Sequence, residues 1–237
     1  MTDTTMSNTT MSNTTMSNTT RSKQAEFVRR IVEPSHTALL TMELQEGVVG
    51  QSALLPALVD QVARTGMLQL VGGLCSEARD AGARVVHCTA TSRPDGAGSA
   101  TNCKLFALTA RMRRERGSTP TDLGTPGERL VPELGPDPRD IVVPRLHGMT
   151  PFTSTSLDQI LRNLGIQTVV ATGVSVNLGV FGMVLTALDL GYQVVLVRDA
   201  VAGVPAEYAQ AVIENSLSLV STVVTSDELV TAWKSWA

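Results

Sequence analysis

The sequence is poor in the residues that build disulfides and metal centres. Its three cysteines, Cys75, Cys88 and Cys103, are odd in number and form no C-x-x-C pair. That fits free thiols in a reducing cytoplasm better than a disulfide framework. Zinc-type spacing is absent, and the three histidines, His36, His87 and His147, are scattered. Both facts argue against a metal site built by the protein, and no cofactor is expected. No basic run exceeds "RMRRERG" at Arg111 to Gly117, and the net charge is −3. A nucleic-acid partner is therefore not expected. There is no apolar leader at the N-terminus and no run long enough for a membrane helix. The expectation is a soluble, cytoplasmic protein acting on a small molecule.

What is present is a globular pattern. Hydrophobic residues make up 43 % of 237 residues, enough to bury a large core. The start is different in kind: "TTMSN" occurs three times in tandem from Thr4 to Asn18. Such a polar repeat cannot bury enough surface to offset its ordering entropy, so residues 1–30 read as a disordered extension and 31–237 as one domain. Within the domain, "TALLTMEL", "ARVVHCTA", "DIVVP", "TVVATGV", "YQVVLVRDA" and "STVVT" read as six strands. Apolar residues at helical spacing fill the segments between them, including one long stretch from Leu54 to Ala81. A helix is also expected near 102–116, one capped by Ser154 or Thr155, and a last one capped by Ser226. Residues Ser118 to Asp140 are rich in Pro, Gly and charge and read as a long surface excursion, a lid or insertion. Valine-rich strands with little alternation, separated by amphipathic helices, predict an α/β fold: a three-layer α-β-α sandwich with a mostly parallel six-stranded sheet.

Ligands in such folds bind at the carboxyl ends of the strands. Five places there can carry chemistry. Glu43 ends the first strand, where a carboxylate among apolar neighbours needs a cation or donors, or else stands in water beyond the strand. Arg145 follows the third strand; its fork of donors can hold a carboxylate but cannot shuttle a proton, and the alternative is a surface arginine. His147 binds substrate, acts as acid or base, or staples its loop. The turn "TGVSVNLG" presents backbone N–H groups at a helix start, suited to an anion or a developing oxyanion, with Gly179 giving room or close helix–sheet packing. Cys88, at the end of the second strand, is a nucleophile only if it is more than a small apolar filler.

The stretches "LLTMELQEG", "RLHGMTPFTSTSLDQILRNLGIQTVVATGVSVNLGV" and "TALDLGYQVVLVRDAVAG" resemble those of the isochorismatase-like hydrolases, over residues 36 to 225. The resemblance implies that Glu43 stands at the family's aspartate, Arg145 at its lysine, and Gly179 where the cysteine hydrolases keep their nucleophilic thiol. It places Gln45, His147, Phe152, Ser175 and Asn177 among the substrate-binding positions and a cis peptide at Val174–Ser175. With glycine at 179 no thioester forms there, which excludes the usual covalent amidase route. The metal-binding Asp-x-His motif of nicotinamidases is replaced by "CTATSRPDG". Isochorismatase itself carries a small residue in place of the thiol, and its acid protonates an enol ether while water completes the cleavage. The implied function is a hydrolase that cleaves a C–O or C–N bond with Glu43 as acid/base, with Gly179 leaving space for substrate or water. A second reading is a catalytically silent binding or scaffold protein, since all three usual catalytic residues are changed. A third moves the nucleophile to Cys88 or Cys103. Relatives' habits and apolar helices such as "GVFGMVLTAL" imply a homodimer or homotetramer.

Overall fold

The computed structural model describes residues 18–236. Six strands form one sheet: β1 (Thr37–Met42), β2 (Arg84–Ala90), β3 (Ile141–Arg145), β4 (Thr168–Val174), β5 (Gln193–Ala202) and β6 (Thr222–Val224). Their order is β3-β2-β1-β4-β5-β6, and all five pairings are parallel. Both faces are covered, which is why β1 and β4 are buried along their whole length and show no polar alternation. One face packs on α1 (Asn18–Ile31), the short α2 (Glu46–Val49), α3 (Pro56–Thr65), α4 (Met67–Ala81) and α10 (Ser226–Lys234), through residues such as Val28, Val49, Leu58, Leu74 and Trp233. The other packs on α6 (Leu157–Asn163), α7 (Gly179–Asp189), α8 (Ala206–Val212) and the single turn α9 (Ser218–Val220), through Leu161, Met183, Val212 and Val220. Among the described residues no helix is long and apolar enough to cross a membrane.

Several local expectations are corrected. The extension does not stay unstructured to residue 30: α1 begins at Asn18, and Val28 and Val32 are buried. The Trp233 indole N–H donates to the Val32 carbonyl, and Arg29 lies 4.1 Å from the Trp236 ring, so two C-terminal tryptophans anchor this helix. The repeat before Asn18 lies outside the described residues. The stretch from Leu54 to Ala81 is two helices, because Gly66 adopts φ 65 and ends α3 before α4 starts. The cap of α10 is Thr225: its hydroxyl accepts from the Glu228 N–H while the Glu228 carboxylate accepts from the Thr225 N–H. Ser226 instead donates its N–H and hydroxyl to Asp199. At the start of α6, Thr155 supplies the hydroxyl, accepting from the Leu157 N–H.

The Ser118–Asp140 excursion is pinned down. It contains two short 3-10 turns, Pro126–Glu128 and Pro132–Leu134, and buries Asp122, Val131 and Leu134. α4 packs on its second turn, with Arg79 Nη2 donating to the Leu134 carbonyl, and α5 (Lys104–Arg116), which precedes it in the chain, buries none of its residues. Between β1 and β4 the chain reverses the direction in which strands are added, and this switch point is where a crevice opens.

Candidate active site

Glu43 leaves β1 with φ 54, a left-handed conformation that costs a non-glycine residue about 1–3 kcal/mol and persists only where its surroundings over-determine it. Its N–H donates to the Cys88 carbonyl at 2.8 Å, which carries the ladder between β1 and β2 one step past the strand. On the other side Gly173 has φ 104, and a Cβ there would lie 2.3 Å from the Met42 carbonyl oxygen. Only glycine lets β4 pass this close to the end of β1. Together these features aim the Glu43 side chain over the carboxyl ends of the central strands.

Arg145, the last residue of β3, reaches across β2 to meet it. Its Nη2 donates to Glu43 Oε1, and its Nε donates to the Gly148 carbonyl at 2.8 Å. The guanidinium is 3 % exposed and the carboxylate 18 %, so the arginine is enclosed while the acid keeps one side open. Arg145 Nη1 is buried without a hydrogen-bond partner. Glu43 Oε2 has no partner among the described residues, so the carboxylate keeps one free acceptor oxygen.

A cavity of about 420 Å³ stands over this pair. Glu43, Arg145, His147, Ser175 and Gly179 line its floor. The peptide between Val174 and Ser175 is cis, as the resemblance implies. In the turn that follows, the Val180 and Leu178 N–H groups both donate to the Ser175 carbonyl at 3.0 Å. The Gly179 N–H, the first of α7, makes no hydrogen bond among the described residues, which leaves it available to an oxygen in the cavity.

The expected site residues separate into two groups. His147 lies on the cavity wall, with Nδ1 3.2 Å from the Ser154 hydroxyl, so it is a staple and a wall residue at once. Gln45, Asn177 and Phe152 are not on the wall. Gln45 is fully buried; its amide donates to the Ala90 and Glu128 carbonyls and its Oε1 accepts from the Ala90 N–H. It ties the loops after β1 and β2 together and has nothing left for a substrate. Asn177 donates to the Val204 carbonyl at 3.3 Å, with its Oδ1 turned toward Gly203. Phe152 packs 5.9 Å from the Tyr192 ring in the core below the sheet.

Gly179 also differs from expectation. A Cβ built there would lie 2.8 Å from Met42 Cε. The fully buried Met42 side chain therefore occupies part of the space that a larger residue at 179 would need, and the cavity that Gly179 shares with Glu43 begins beyond it. The thiols stand apart from the cavity. Burial pushes the Cys88 thiol up to about 12, against a smaller opposing effect of Arg145, and Cys88 is not on the wall. Burial does the same to Cys75, also to about 12, on the opposite face of the sheet. Cys103 is exposed at the start of α5 and is not on the wall either. Among the described residues no cluster of three His, Cys, Asp or Glu side chains is placed to hold a metal ion.

The wall that the sequence reading did not assign comes from α5 and the start of α3. Leu105, Phe106, Thr109, Ala110 and Arg113 of α5 face the cavity, as do Leu55 and Leu58. The α5 positions recur at helical spacing, a signal that marks one face of a helix. Only Thr119, Pro120 and Thr121 of the excursion reach the cavity. Arg113 fixes the helix: its Nη1 and Nη2 donate to the two oxygens of Asp122 at 2.9 and 2.6 Å. Asp122 also accepts from the Ser92 and Thr119 hydroxyls and the Thr119 N–H.

This architecture and this site define an isochorismatase-type hydrolase fold, and comparison with known proteins agrees. The isochorismatase domain family matches residues 37–228, so the chain belongs to the isochorismatase family of hydrolases. It is similar to the ureidoacrylate amidohydrolase RutB of Pseudomonas syringae pv. syringae (strain B728a), 31 % identical over 186 residues that cover 76 % of each chain. Among solved structures it is similar to an isochorismatase family protein from Desulfovibrio vulgaris, with a TM-score of 0.73, 24 % identity and coverage of 84 % of this chain and 98 % of that one. It is also similar to an N-carbamoylsarcosine amidase from Thermoplasma acidophilum, with a TM-score of 0.59, 26 % identity and coverage of 81 % and 96 %.

Proposed function

We propose that the protein cleaves a C–O or C–N bond of a small molecule with water as the nucleophile, Glu43 as acid/base, and no covalent thiol intermediate. The observation that carries this reading is the division of labour at Glu43. Arg145 takes Oε1 and fixes the carboxylate, while Oε2 has no partner among the described residues and Glu43 lines the cavity. A carboxylate so held can accept a proton from a water as its oxygen attacks a trigonal carbon, and then return that proton to the leaving nitrogen or oxygen. The N–H of Gly179, without a hydrogen bond among the described residues, is the donor for the oxygen on which charge develops. The three thiols support the same reading, since none lines the cavity and two are held neutral by burial.

The test is a panel of ureidoacrylate, an N-carbamoyl amino acid and a vinyl ether carboxylate, followed by NMR, with intact-mass measurement during turnover. The reading expects hydrolysis of at least one member with no mass added to the protein. An acyl adduct overturns the water route. Binding without turnover across the panel makes the catalytically silent reading the right one.

A further inference from the structure

We infer that the natural substrate carries an apolar body, of the size of a phenyl-bearing chain, joined to the bond that Glu43 attacks. This inference rests on the hydrolase reading only for that bond; the fit of the apolar body stands on the cavity itself. Away from the Glu43–Arg145 floor the walls are Leu54, Leu55 and Leu58 on one side and Leu105, Phe106 and Ala110 on the other. The volume of about 420 Å³ equals roughly 14 waters at about 30 Å³ each, far more than a bare carbamoyl or vinyl ether group fills.

The second observation is α5 itself. It is a helix of 13 residues without one buried side chain, although Leu105 and Phe106 point at the cavity. A helix in a folded domain owes its place largely to burial of its apolar side chains, and here Leu105, Phe106 and Ala110 meet a cavity. The Arg113–Asp122 pair holds the helix, so the unfilled contact is left for a ligand. Most charges on the wall are paired within the chain: Glu43 with Arg145, Arg113 with Asp122, and, at the surface, Asp95 with Arg93, while Arg114 of α5 stands exposed to solvent. The interior thus offers one polar end, at Glu43, and an apolar stretch between Leu54, Leu55 and Leu58 on one side and Leu105, Phe106 and Ala110 on the other, which selects a ligand of the same polarity pattern.

The experiment is calorimetric titration with 4-phenylbutanamide and with acetamide, which share the amide head. Wild type is compared with Leu105→Ala and Phe106→Ala, which change a half-buried helix face and spare the core, and with Leu108→Ala on the exposed side of α5. Burial of the phenyl chain should make 4-phenylbutanamide bind about 10- to 100-fold tighter than acetamide, with a negative heat-capacity change. Leu105→Ala and Phe106→Ala should each erase most of that advantage, and Leu108→Ala should leave it. Equal affinity for the two amides, failure of 4-phenylbutanamide to bind at its solubility limit, or an advantage untouched by both wall variants overturns the inference. Because the readout is binding, it separates from turnover. Hydrolysis of a small polar substrate with no apolar preference sinks this inference alone, and apolar preference without hydrolysis sinks the hydrolase reading alone.

Discussion

The contact between Met42 and Gly179 gives a prediction whose size follows from two distances. The Cβ that Gly179→Ala adds would stand 2.8 Å from Met42 Cε and 3.6 Å from Met42 Cγ. Carbon atoms in contact sit about 3.5–4.0 Å apart, so the methionine methyl must retreat by about 1 Å. Met42 is fully buried, and the space around it is occupied by core residues. Overpacking of this kind costs about 1–3 kcal/mol; because the clash falls on the flexible end of a methionine, the lower part, about 1–2 kcal/mol, applies. Met42→Val removes Cε and by itself leaves a small cavity, a loss of about 1–2 kcal/mol. In the double variant the new alanine methyl meets the vacated space, so the combined loss should fall short of the sum by about 1 kcal/mol. Urea unfolding of the four proteins, read as midpoints at unchanged slope, measures that coupling. Losses that add to within about 0.5 kcal/mol would show that the two positions do not share one space and refute the reasoning.

Three further outcomes follow. Asp122→Asn should destabilise by about 2–4 kcal/mol, since it leaves the largely buried Arg113 without its counter-charge, and limited proteolysis should then cut within residues 104–122. His87 is buried between the Thr41 hydroxyl, 2.8 Å from Nδ1, and Asp140, 3.1 Å from Nε2. Burial lowers its pKa; Asp140 pulls the other way, but Arg79 already matches that charge bidentately. A depressed folded value means stability that is complete above the unfolded pKa of about 6.5 and is lost as pH falls below it, by up to about 1.4 kcal/mol per unit. Urea midpoints measured from pH 8 to 5 should show that decline and His87→Gln should flatten it; a decline unchanged by the substitution contradicts the assignment. A thiol reagent should label Cys103 at once and reach Cys75 and Cys88 only on unfolding, with turnover unaffected by the first label.

Much of the frame was legible in the sequence because valine-rich runs report burial on both faces directly. The break at Gly66 was not, since one glycine within a helical pattern is tolerated as often as it terminates. The cap at Thr225 was readable: a capping box needs its acid three positions on, and Glu228 is three after Thr225, two after Ser226. At the site, Glu43 and Arg145 sit at strand ends, where topology alone brings them together. Gln45 and Asn177 flank the same junctions, but the Gln45 amide is tied to the Ala90 and Glu128 backbone and the Asn177 amide nitrogen to the Val204 carbonyl, and only tertiary geometry shows which way such a side chain turns. The Met42 methyl beside Gly179 joins residues 137 positions apart and left no local trace. The apolar face of α5 was visible as a spacing, but not that it would line a cavity and stay out of the core.

Glu43 is the point on which the account turns. The deciding measurement is kcat/KM on the best member of the substrate panel for wild type, Glu43→Gln, and a variant with Cys75, Cys88 and Cys103 all replaced by alanine, each confirmed folded. Loss of the acid/base should lower the value by about 10²- to 10⁴-fold in Glu43→Gln, while the cysteine-free protein keeps wild-type turnover. Turnover that survives in Glu43→Gln, or vanishes with the cysteines, would contradict it.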